Sequence, residues 1–283
     1  MYRLEQHPKF SYVRILTIPF SSIKKIDLAL CKQPKETPDS FYARQVIKPE
    51  IVVNGGFFNL SDGATIFDFK DEGKAISYVN YKGMAILGNK ELKYMTMNTQ
   101  ARDFVSAYPP LIVEGKKVSI VLGTEINRLA RRTAVGWNKD NFYIVTVDEP
   151  GLKFPVLQDI FLELKVDYAI NLDGGGSTRL LVNGQVKTEQ VYARPVDNVL
   201  CVYLNKRVLY KVQVGAFSFY DNAKRLLTEL NQKGYQGFVT KVNNLYKVQI
   251  GAFSIKDNAI RLRDELKIKG YNGFIVEQEV SNG

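Results

Sequence analysis

The C-terminal part of the chain contains a tandem repeat with a period of 36 residues, which restricts the possible folds more than any other feature. Residues 210–218 recur at 246–254 with one difference, Val214 in the first copy and Ile250 in the second. Shorter matches follow at the same period: 221–223 with 257–259, 234–235 with 270–271, and 237–238 with 273–274. A fixed period of this kind indicates that each copy is one supersecondary unit and that the copies pack together around a shared core.

Each copy has the pattern of a strand, a helix and a second strand. Val212 and Val214 alternate with polar residues, which is typical of a half-buried strand. Asp221 is suited to cap the helix that follows, and Gly234 stands where that helix is expected to end. The two copies therefore predict a small βαββαβ domain of the RNP-like type over residues 206–283, with two helices on one face of a four-stranded sheet.

The repeat signature resembles that of the SPOR domain, a peptidoglycan-binding module built from two such units. The resemblance implies binding to the glycan strands of peptidoglycan, particularly strands without stem peptides. The candidate peptidoglycan-binding residues are the aromatic residues Tyr235, Tyr271, Phe217 and Phe253. Their rings are suited to stack on sugars, and packing in the core is the alternative, favoured for the two phenylalanines.

The repeat region is also the more basic part of the chain. It holds 13 Lys and Arg against 7 Asp and Glu, whereas the whole chain of 283 residues has a net charge of +10. Such a surface favours a polyanionic partner, such as an anionic cell-wall polymer, a membrane surface or nucleic acid, with simple solubility as the alternative. RNA-binding modules of similar strand order carry an RNP1 signature that is absent here, so we predict a peptidoglycan or other cell-wall partner and no nucleic acid.

Residues 1–205 form the second predicted domain, which is strand-rich and mixed, so the fold class of the chain is α+β. Strands are predicted over residues 13–20, 26–30, 51–54, 84–87, 111–113, 134–137 and 141–147, and a helix over 155–165. No apolar run is long enough for a transmembrane segment, and the N-terminus lacks the pattern of a signal peptide. We expect synthesis in the cytoplasm and action at the bacterial cell wall after release or lysis.

Histidine usage excludes several mechanisms. His7 is the only histidine, and we expect it at the surface. The chain therefore has no Ser-His-Asp triad, no HExxH zinc site and no multi-histidine metal cluster. Acid–base chemistry is left to carboxylates, tyrosine, lysine or water.

Three consecutive glycines mark the most suggestive motif of residues 1–205. An apolar strand leads into Asp173, Gly174, Gly175 and Gly176 follow, and two hydroxyl residues, Ser177 and Thr178, complete the motif. Glycine allows backbone angles that other residues avoid, and it lets a ligand approach main-chain N–H groups closely. The motif favours an anionic or sugar-phosphate ligand, with a tight turn between strands as the alternative.

Four motifs in this order resemble those of the phosphodiester glycosidase family, typified by N-acetylglucosamine-1-phosphodiester alpha-N-acetylglucosaminidase. They occupy residues 54–59, 132–136, 171–178 and 194–198. The resemblance covers most of residues 45–204 and implies hydrolysis of a sugar-1-phosphodiester.

Each candidate residue has a chemical role consistent with this resemblance. Asp173 is the candidate general acid/base or nucleophile at the anomeric carbon. Arg132 and Arg194 are suited to grip phosphate oxygens bidentately. Amide side chains suit sugar hydroxyls, a phenyl ring suits a sugar face, and glycine N–H groups suit phosphate. The candidates of these kinds are Asn54, Phe58, Gly174, Gly175, Gly176, Ser177, Thr178 and Asn198. The alternatives are a surface ion pair for arginine, a closed turn for asparagine and the core for phenylalanine.

One segment departs from the family pattern. Where the family often has Asp-Gly-Arg, this chain has Asp148 and Glu149 followed by Pro150 and Gly151, in what we expect to be a short loop. Asp148 and Glu149 are the candidates for a second catalytic carboxylate. No cofactor is required by the sequence; Asp and Asn oxygens near the glycines are suited to a divalent cation, but no spacing demands one.

The two resemblances together imply a cell-wall-targeted glycoside hydrolase. It would cleave a sugar-1-phosphodiester or a related glycosidic bond of a bacterial envelope polymer while the repeats hold it on peptidoglycan. The expected settings are cell wall degradation by a bacteriophage endolysin or by a sporulation or autolytic hydrolase. The alternatives are a non-catalytic protein that binds the cell wall or sugar phosphates, and a nucleic-acid-binding protein.

Overall fold

The computed structural model describes residues 2–33, 35–120, 126–190 and 192–280. The chain forms two compact units, Met1–Asn205 and Lys206–Gly283. Within the described ranges there are four α-helices and 21 strands arranged in four sheets, so the fold class is α+β, as predicted. In the same ranges, no helix is long and apolar enough to cross a membrane.

The first unit contains most of the strands. In chain order they are β1 Arg3–His7, β2 Phe10–Pro19, β3 Ile23–Leu30, β4 Ile51–Asn54, β5 Phe69–Asp71, β6 Lys74–Ser77, β7 Lys82–Leu87, β8 Glu91–Thr96, β9 Asp103–Ser106, β10 Pro110–Val113, β11 Lys116–Lys117, β12 Ala130–Trp137, β13 Asn141–Leu152, β14 Tyr168–Asn171, β15 Leu180–Val182, β16 Gln185–Val186 and β17 Asn198–Leu204. Its helices are α1 Pro38–Arg44 and α2 Phe154–Glu163.

These strands form three sheets. A seven-stranded sheet has the order β1-β2-β13-β12-β14-β10-β11, and two five-stranded sheets have the orders β16-β15-β4-β17-β3 and β6-β5-β9-β7-β8. The large sheet is covered on both faces: Phe142 and Ile144 of β13 pack into the core shared with the smaller sheets, whereas Tyr143 and Val145 pack towards α2. A strand buried on both faces has no polar alternation, which explains the continuous apolar run of β13.

Helix α2 confirms the predicted amphipathic helix, with bounds shifted by one or two residues. It lies so close to β12 that a Cβ atom at Gly136 would collide with the ring of Phe161. Helix α1 was not predicted, although Thr37 accepts a hydrogen bond from the N–H of Ser40 at 3.1 Å and so caps the helix. A capping threonine followed by proline is a helix-start signal that the sequence analysis missed.

Two local expectations are wrong. The segment after Asp148 is not a loop, because β13 continues to Leu152, which pairs with Ala130 of β12. His7 is not at the surface: it is 4% exposed, its ring stacks on Phe10, and its Nε2 lies 3.1 Å from a carboxylate oxygen of Glu163 on α2. His7 is buried because the end of the β1–β2 hairpin packs against α2.

The second unit is built from the two repeats. Its elements are β18 Arg207–Phe217, α3 Tyr220–Gln232, β19 Gly237–Val242, β20 Leu245–Phe253, α4 Lys256–Ile268 and β21 Phe274–Val280. The sheet order is β19-β20-β18-β21, and residues of both helices and all four strands share one core. Gly234 has a φ of +88° directly after α3, as expected of a helix-ending glycine. Asp221 lies inside the first turn of α3 rather than at its cap, which is Phe219.

Candidate functional site

A cavity of about 510 Å³ opens where the chain leaves the end of β14 and enters the three glycines. Asp173 is the only carboxylate among the described residues that line it. Arginines from two separate motifs, Arg132 and Arg194, also line it, together with Arg128. The predicted site residues that the structure brings together here are therefore Asp173, the three glycines and the two arginines.

Asp173 is held by the main chain on both sides. Its N–H donates to the carbonyl of Gly55 at 3.1 Å, and its carboxylate accepts the N–H of Gly174 at 2.9 Å. Burial raises the pKa of Asp173, while the Ser177 hydroxyl, the Gly174 N–H and the charge of Arg194 act in the opposite direction. A carboxyl group that keeps its proton to higher pH than an exposed aspartate is suited to donate a proton in catalysis.

Asn54 positions Asp173. Its Nδ2 donates to the Asp173 carbonyl at 2.6 Å, and its Oδ1 accepts from the Thr133 hydroxyl at 2.7 Å and from the Arg179 N–H at 3.1 Å. The side chain is fully buried. All three bonds join motifs that are far apart in the sequence, so Asn54 holds the Gly-rich turn against β4 and β12 and does not line the cavity.

Asn198 has an equivalent structural role for the first motif. Its Oδ1 accepts the N–H of Gly56 at 2.6 Å, and its carbonyl accepts the N–H of Gly55 at 3.0 Å. A Cβ atom at position 55 would overlap the Asn198 amide, so only glycine fits there. The motifs at residues 54–59 and 194–198 are thus held together by these hydrogen bonds.

Phe58 and the two hydroxyl residues of the third motif lie away from the cavity. Phe58 is 6% exposed and packs in the core with Phe41 and Val199. Its neighbour Phe57 lines the cavity instead. Ser177 and Thr178 are buried below the Gly-rich turn.

Arg132 supports one wall of the cavity. Its Nε donates to the carbonyl of Leu152 at 3.2 Å, and its Nη2 donates to the carbonyls of Ile126 at 2.8 Å and Arg128 at 2.7 Å. Its guanidinium lies 4.0 Å from the ring centroid of Phe154. Burial lowers the pKa of Arg132 to about 10, and Arg128 adds to the effect, so the charge is retained at neutral pH. Direct contact between Arg132 and a phosphate group stays a prediction.

Arg194 is the more accessible of the two predicted arginines. Its side chain is exposed, and its guanidinium lies flat against Gly176, where a Cβ atom would collide with it. Burial raises the pKa of Asp173, and the positive charge of Arg194 partly offsets this effect, as expected of a cation near the carboxyl group. A planar guanidinium in this position is suited to hold two oxygens of a ligand phosphate.

Arg194→Gln is expected to weaken inhibition by inorganic phosphate by about tenfold, because a charged hydrogen-bond donor contributes roughly 1.5–3 kcal/mol. Arg225→Gln is the matched control, since Arg225 lies on the exposed face of α3 in the second unit. The measurement is the phosphate inhibition constant in a hydrolysis assay. Equal inhibition of Arg194→Gln and parent would transfer the phosphate contact to Arg132.

The two candidates for a second carboxylate do not line the cavity. Asp148 is buried, pairs with Arg14 and accepts the N–H of Glu189 at 3.0 Å. Burial raises the pKa of Asp148. Glu149 is exposed and pairs with Arg131 at 3.2 Å. Asp148 is nevertheless linked to the site, because Gln190, next to Glu189, donates to the carbonyl of Gly176 at 3.0 Å.

Metal ligands are not grouped at this site. In the ranges that the structure describes, no three His, Cys, Asp or Glu side chains are close enough to hold a metal ion. The two cysteines, Cys31 and Cys201, are buried free thiols. A divalent cation therefore stays a prediction from the sequence alone.

The aromatic candidates of the repeat unit all lie on its helix side. Tyr235 donates to Glu265 at 2.5 Å and accepts from Lys269 at 2.6 Å, so it joins the first repeat to α4. Tyr271 makes the equivalent bonds to Glu229 of α3 and to Lys233, which caps the end of that helix. Phe217 and Phe253 pack around the same core.

A different row of side chains crosses the opposite face of this sheet. Phe238, Gln249, Gln213 and Phe274 are direct cross-strand partners in that order, one from each strand. They alternate with Val212 and other core residues, so they point away from the helices. Phe238 and Phe274 are 38% and 59% exposed. This row was not predicted, although the 36-residue period relates both pairs, Gln213 to Gln249 and Phe238 to Phe274.

Two family models match the chain, one within each of its two compact units. A model of the phosphodiester glycosidase family matches residues 38–203, and a model of the SPOR domain matches residues 206–277. A search of the curated proteins found no match. The solved catalytic domain of zebrafish N-acetylglucosamine-1-phosphodiester alpha-N-acetylglucosaminidase, auto-inhibited by its pro-peptide, is similar with 16% identity and a TM-score of 0.56, over 72% of this chain and 87% of that chain.

Two further structures are similar to parts of the chain. A hypothetical protein from Synechocystis matches with 13% identity and a TM-score of 0.56, over 72% of this chain and 61% of that chain. The peptidoglycan binding domain of the B. subtilis cell wall lytic enzyme CwlC is 44% identical over 25% of this chain and 90% of that chain, with a TM-score of 0.24. The zebrafish and Synechocystis structures show a shared fold for the first unit.

Proposed function

We propose that this chain, which belongs to the phosphodiester glycosidase family and carries a SPOR domain, is a cell-wall-targeted hydrolase. In this proposal it cleaves a sugar-1-phosphodiester of a bacterial envelope polymer. The observation that carries the proposal is the shared cavity of Asp173 and Arg194 at the Gly-rich turn. One residue supplies a carboxyl group with a raised pKa, and the other supplies a guanidinium for a phosphate.

The proposed reaction is hydrolysis at the anomeric carbon. Water forms the new bond to that carbon, the bond to the phosphate oxygen breaks, and this oxygen keeps the electron pair. The products are a free reducing sugar and a phosphomonoester. Asp173 either takes the proton that the attacking water loses or gives a proton to the leaving phosphate oxygen. Arg194 neutralises charge on the phosphate. Asn54 and Asn198 keep Asp173 in position through the main chain.

The second candidate function is binding without turnover. It is favoured by one observation: glycosidases commonly use two carboxyl groups, whereas Asp173 is the only one among the described lining residues. Mass spectrometry of purified cell walls after incubation with the full chain separates the two functions. A hydrolase releases reducing sugar and leaves a new phosphomonoester on the wall polymer. Association with the wall and no released sugar would support the binding function.

We propose that the SPOR domain holds the enzyme on peptidoglycan through the row Phe238, Gln249, Gln213 and Phe274. The exposed rings of Phe238 and Phe274 suit sugar faces, and Gln213 and Gln249, which are 6% and 7% exposed, lie between them. Attachment of this domain to the wall would raise the substrate concentration at the catalytic unit. A phage endolysin and a sporulation or autolytic hydrolase are the settings that we propose for this activity.

Phe274→Ala is expected to weaken sacculus binding about tenfold, the equivalent of about 1.4 kcal/mol, because it removes one exposed ring of the row. Ile268→Ala is the matched control, since Ile268 is an exposed apolar residue at the end of α4. The measurement is a pull-down of the full chain on purified sacculi, repeated with competing RNA. Equal retention of both variants, or release by RNA, would contradict the proposed surface and its glycan partner.

A further inference from the structure

An aromatic cluster stands beside the catalytic cavity. It consists of Phe57, Phe67, Tyr81 and Tyr108. Phe67 stacks on Tyr108 with ring centroids 4.6 Å apart, and Phe57 meets the edges of both rings at 5.5 and 5.9 Å. Tyr81 closes the cluster from the far side, 5.3 Å from Phe67.

Three rings of the cluster line the cavity that contains Asp173. Phe57, Phe67 and Tyr108 are half-buried and belong to this lining, whereas Tyr81 does not. Arg194 and the glycines form another part of the same lining. The cavity therefore combines an apolar aromatic surface with a cationic surface, and the carboxyl group of Asp173 belongs to the same space.

A buried polar atom adjoins this aromatic surface. Asn171, the last residue of β14, is 3% exposed and lines the cavity. Its Nδ2 donates to the carbonyl of Tyr108 at 2.9 Å, and its N–H donates to the carbonyl of Pro109 at 3.1 Å. Its Oδ1 has no hydrogen-bond partner among the described residues. A buried acceptor of this kind is stabilised by a donor from a ligand.

We propose that Phe67 and Tyr108 form the subsite for the sugar ring whose anomeric carbon reacts, and that Asn171 Oδ1 accepts a hydrogen bond from an O–H or N–H substituent of that ring. This inference rests on the proposed function and specifies its substrate class. The phosphate lies on the Arg194 side, so the reacting ring is left to the aromatic side. A pyranose has an apolar C–H face that covers aromatic rings and polar substituents at its edge.

An alkyl chain is the competing occupant of an aromatic wall. It would cover the rings but offer no donor to Asn171, so the buried acceptor would stay unpaired. The polar atom at the end of the wall therefore favours a sugar ring over a lipid tail at this subsite.

The test compares three full-length proteins by titration calorimetry: parent, Phe67→Ala and Tyr81→Ala. The probes are the methyl glycoside of N-acetylglucosamine, decyl phosphocholine and inorganic phosphate. Phe67→Ala is expected to weaken glycoside binding at least tenfold and to leave phosphate binding unchanged. Tyr81→Ala, the matched control from the same cluster, is expected to bind both as the parent does. The SPOR domain is identical in all of these proteins, so any glycoside binding by that domain contributes equally and does not affect the comparison.

Several outcomes would overturn the inference. One is that Phe67→Ala and parent bind the glycoside equally. Another is that binding of the alkyl phosphocholine depends on Phe67, whereas binding of the glycoside does not. A fourth full-length protein, Phe67→Leu, keeps apolar volume but no ring face. It guards against a folding defect and is expected to behave like Phe67→Ala. Hydrolysis of a soluble sugar-1-phosphodiester is measured in parallel. Turnover with a KM independent of Phe67 would reject the subsite and keep the function; Phe67-dependent glycoside binding without turnover would reject the function and keep the subsite.

Discussion

Asp173→Asn is expected to lower kcat by about 100-fold or more, the effect of a positioned acid–base group, while the fold is retained. Asparagine has nearly the same shape, and its Oδ1 can still accept the N–H of Gly174, but it cannot exchange the proton that the reaction requires. The measurement is the release of reducing sugar from a sugar-1-phosphodiester. Asp140→Asn is the matched control, because Asp140 is an exposed aspartate in the turn between β12 and β13.

The pH dependence of stability provides a second test of the same residue. Burial raises the pKa of Asp173, so the folded protein binds its proton more strongly than the unfolded chain does. Such a group contributes stability that is present below the unfolded pKa of about 3.9 and is lost as pH rises through the folded pKa. At pH 7, Asp173→Asn should therefore be at least as stable as the parent, and this difference should vanish in acid.

Near-parental turnover of Asp173→Asn would contradict this mechanism. The catalytic role would then pass to Glu149, to Asp148 or to a group outside the described residues. Loss of turnover together with a lower melting temperature at pH 7 would instead indicate that the carboxylate is a structural element of the turn.

Asn54→Ala is expected to lower the free energy of unfolding by about 3 kcal/mol or more, because each buried polar group left unpaired costs roughly 1–3 kcal/mol. The substitution removes the partners of the Asp173 carbonyl, the Thr133 hydroxyl and the Arg179 N–H at once. Asn89→Ala is the matched control, since Asn89 is exposed in the turn between β7 and β8. The measurement is chemical denaturation monitored by circular dichroism.

Activity should fall with stability in this variant. At a temperature where Asn54→Ala remains folded, turnover is expected to decrease because Asp173 is no longer anchored to β4. A change in unfolding free energy below about 0.5 kcal/mol, the range of an ordinary surface substitution, would show that the turn is held by its main chain alone.

The repeat unit was largely predictable because the sequence signals of its elements are local. Val212 and Gly234, with their equivalents 36 residues later, mark a strand and the end of a helix from neighbouring residues alone. The strand pairing is not local, because β18 pairs with β20 and β21 and not with β19. The alternation of Val212 and Gln213 also determines which face of the sheet each side chain occupies. The row Phe238, Gln249, Gln213 and Phe274 could have been found from the same alternation, because Gln213 points away from the core that buries Val212.

The cavity at the Gly-rich turn was predictable only in part. The family resemblance made Asp173, Arg132 and Arg194 candidates for one site, and the structure shows that all three line one cavity. The roles of Asn54 and Asn198 could not be predicted from the sequence, because the same motif is compatible with an asparagine buried in the core and with one that binds a ligand. Only the tertiary contacts show that both side chains are engaged by Asp173, Gly56 and neighbouring groups.

Residue types and periodicity by themselves determined the α+β class, the tandem repeat, the exclusion of histidine chemistry and the glycines around Asp173. The tertiary structure decided which side chains face the cavity. Phe57 faces it and Phe58 does not, and Asp148 pairs with Arg14 on a strand that continues past the expected loop. The physical reason is range: periodicity and turn chemistry act between neighbours in the chain, whereas burial, ion pairing and access to a cavity depend on segments brought together by folding.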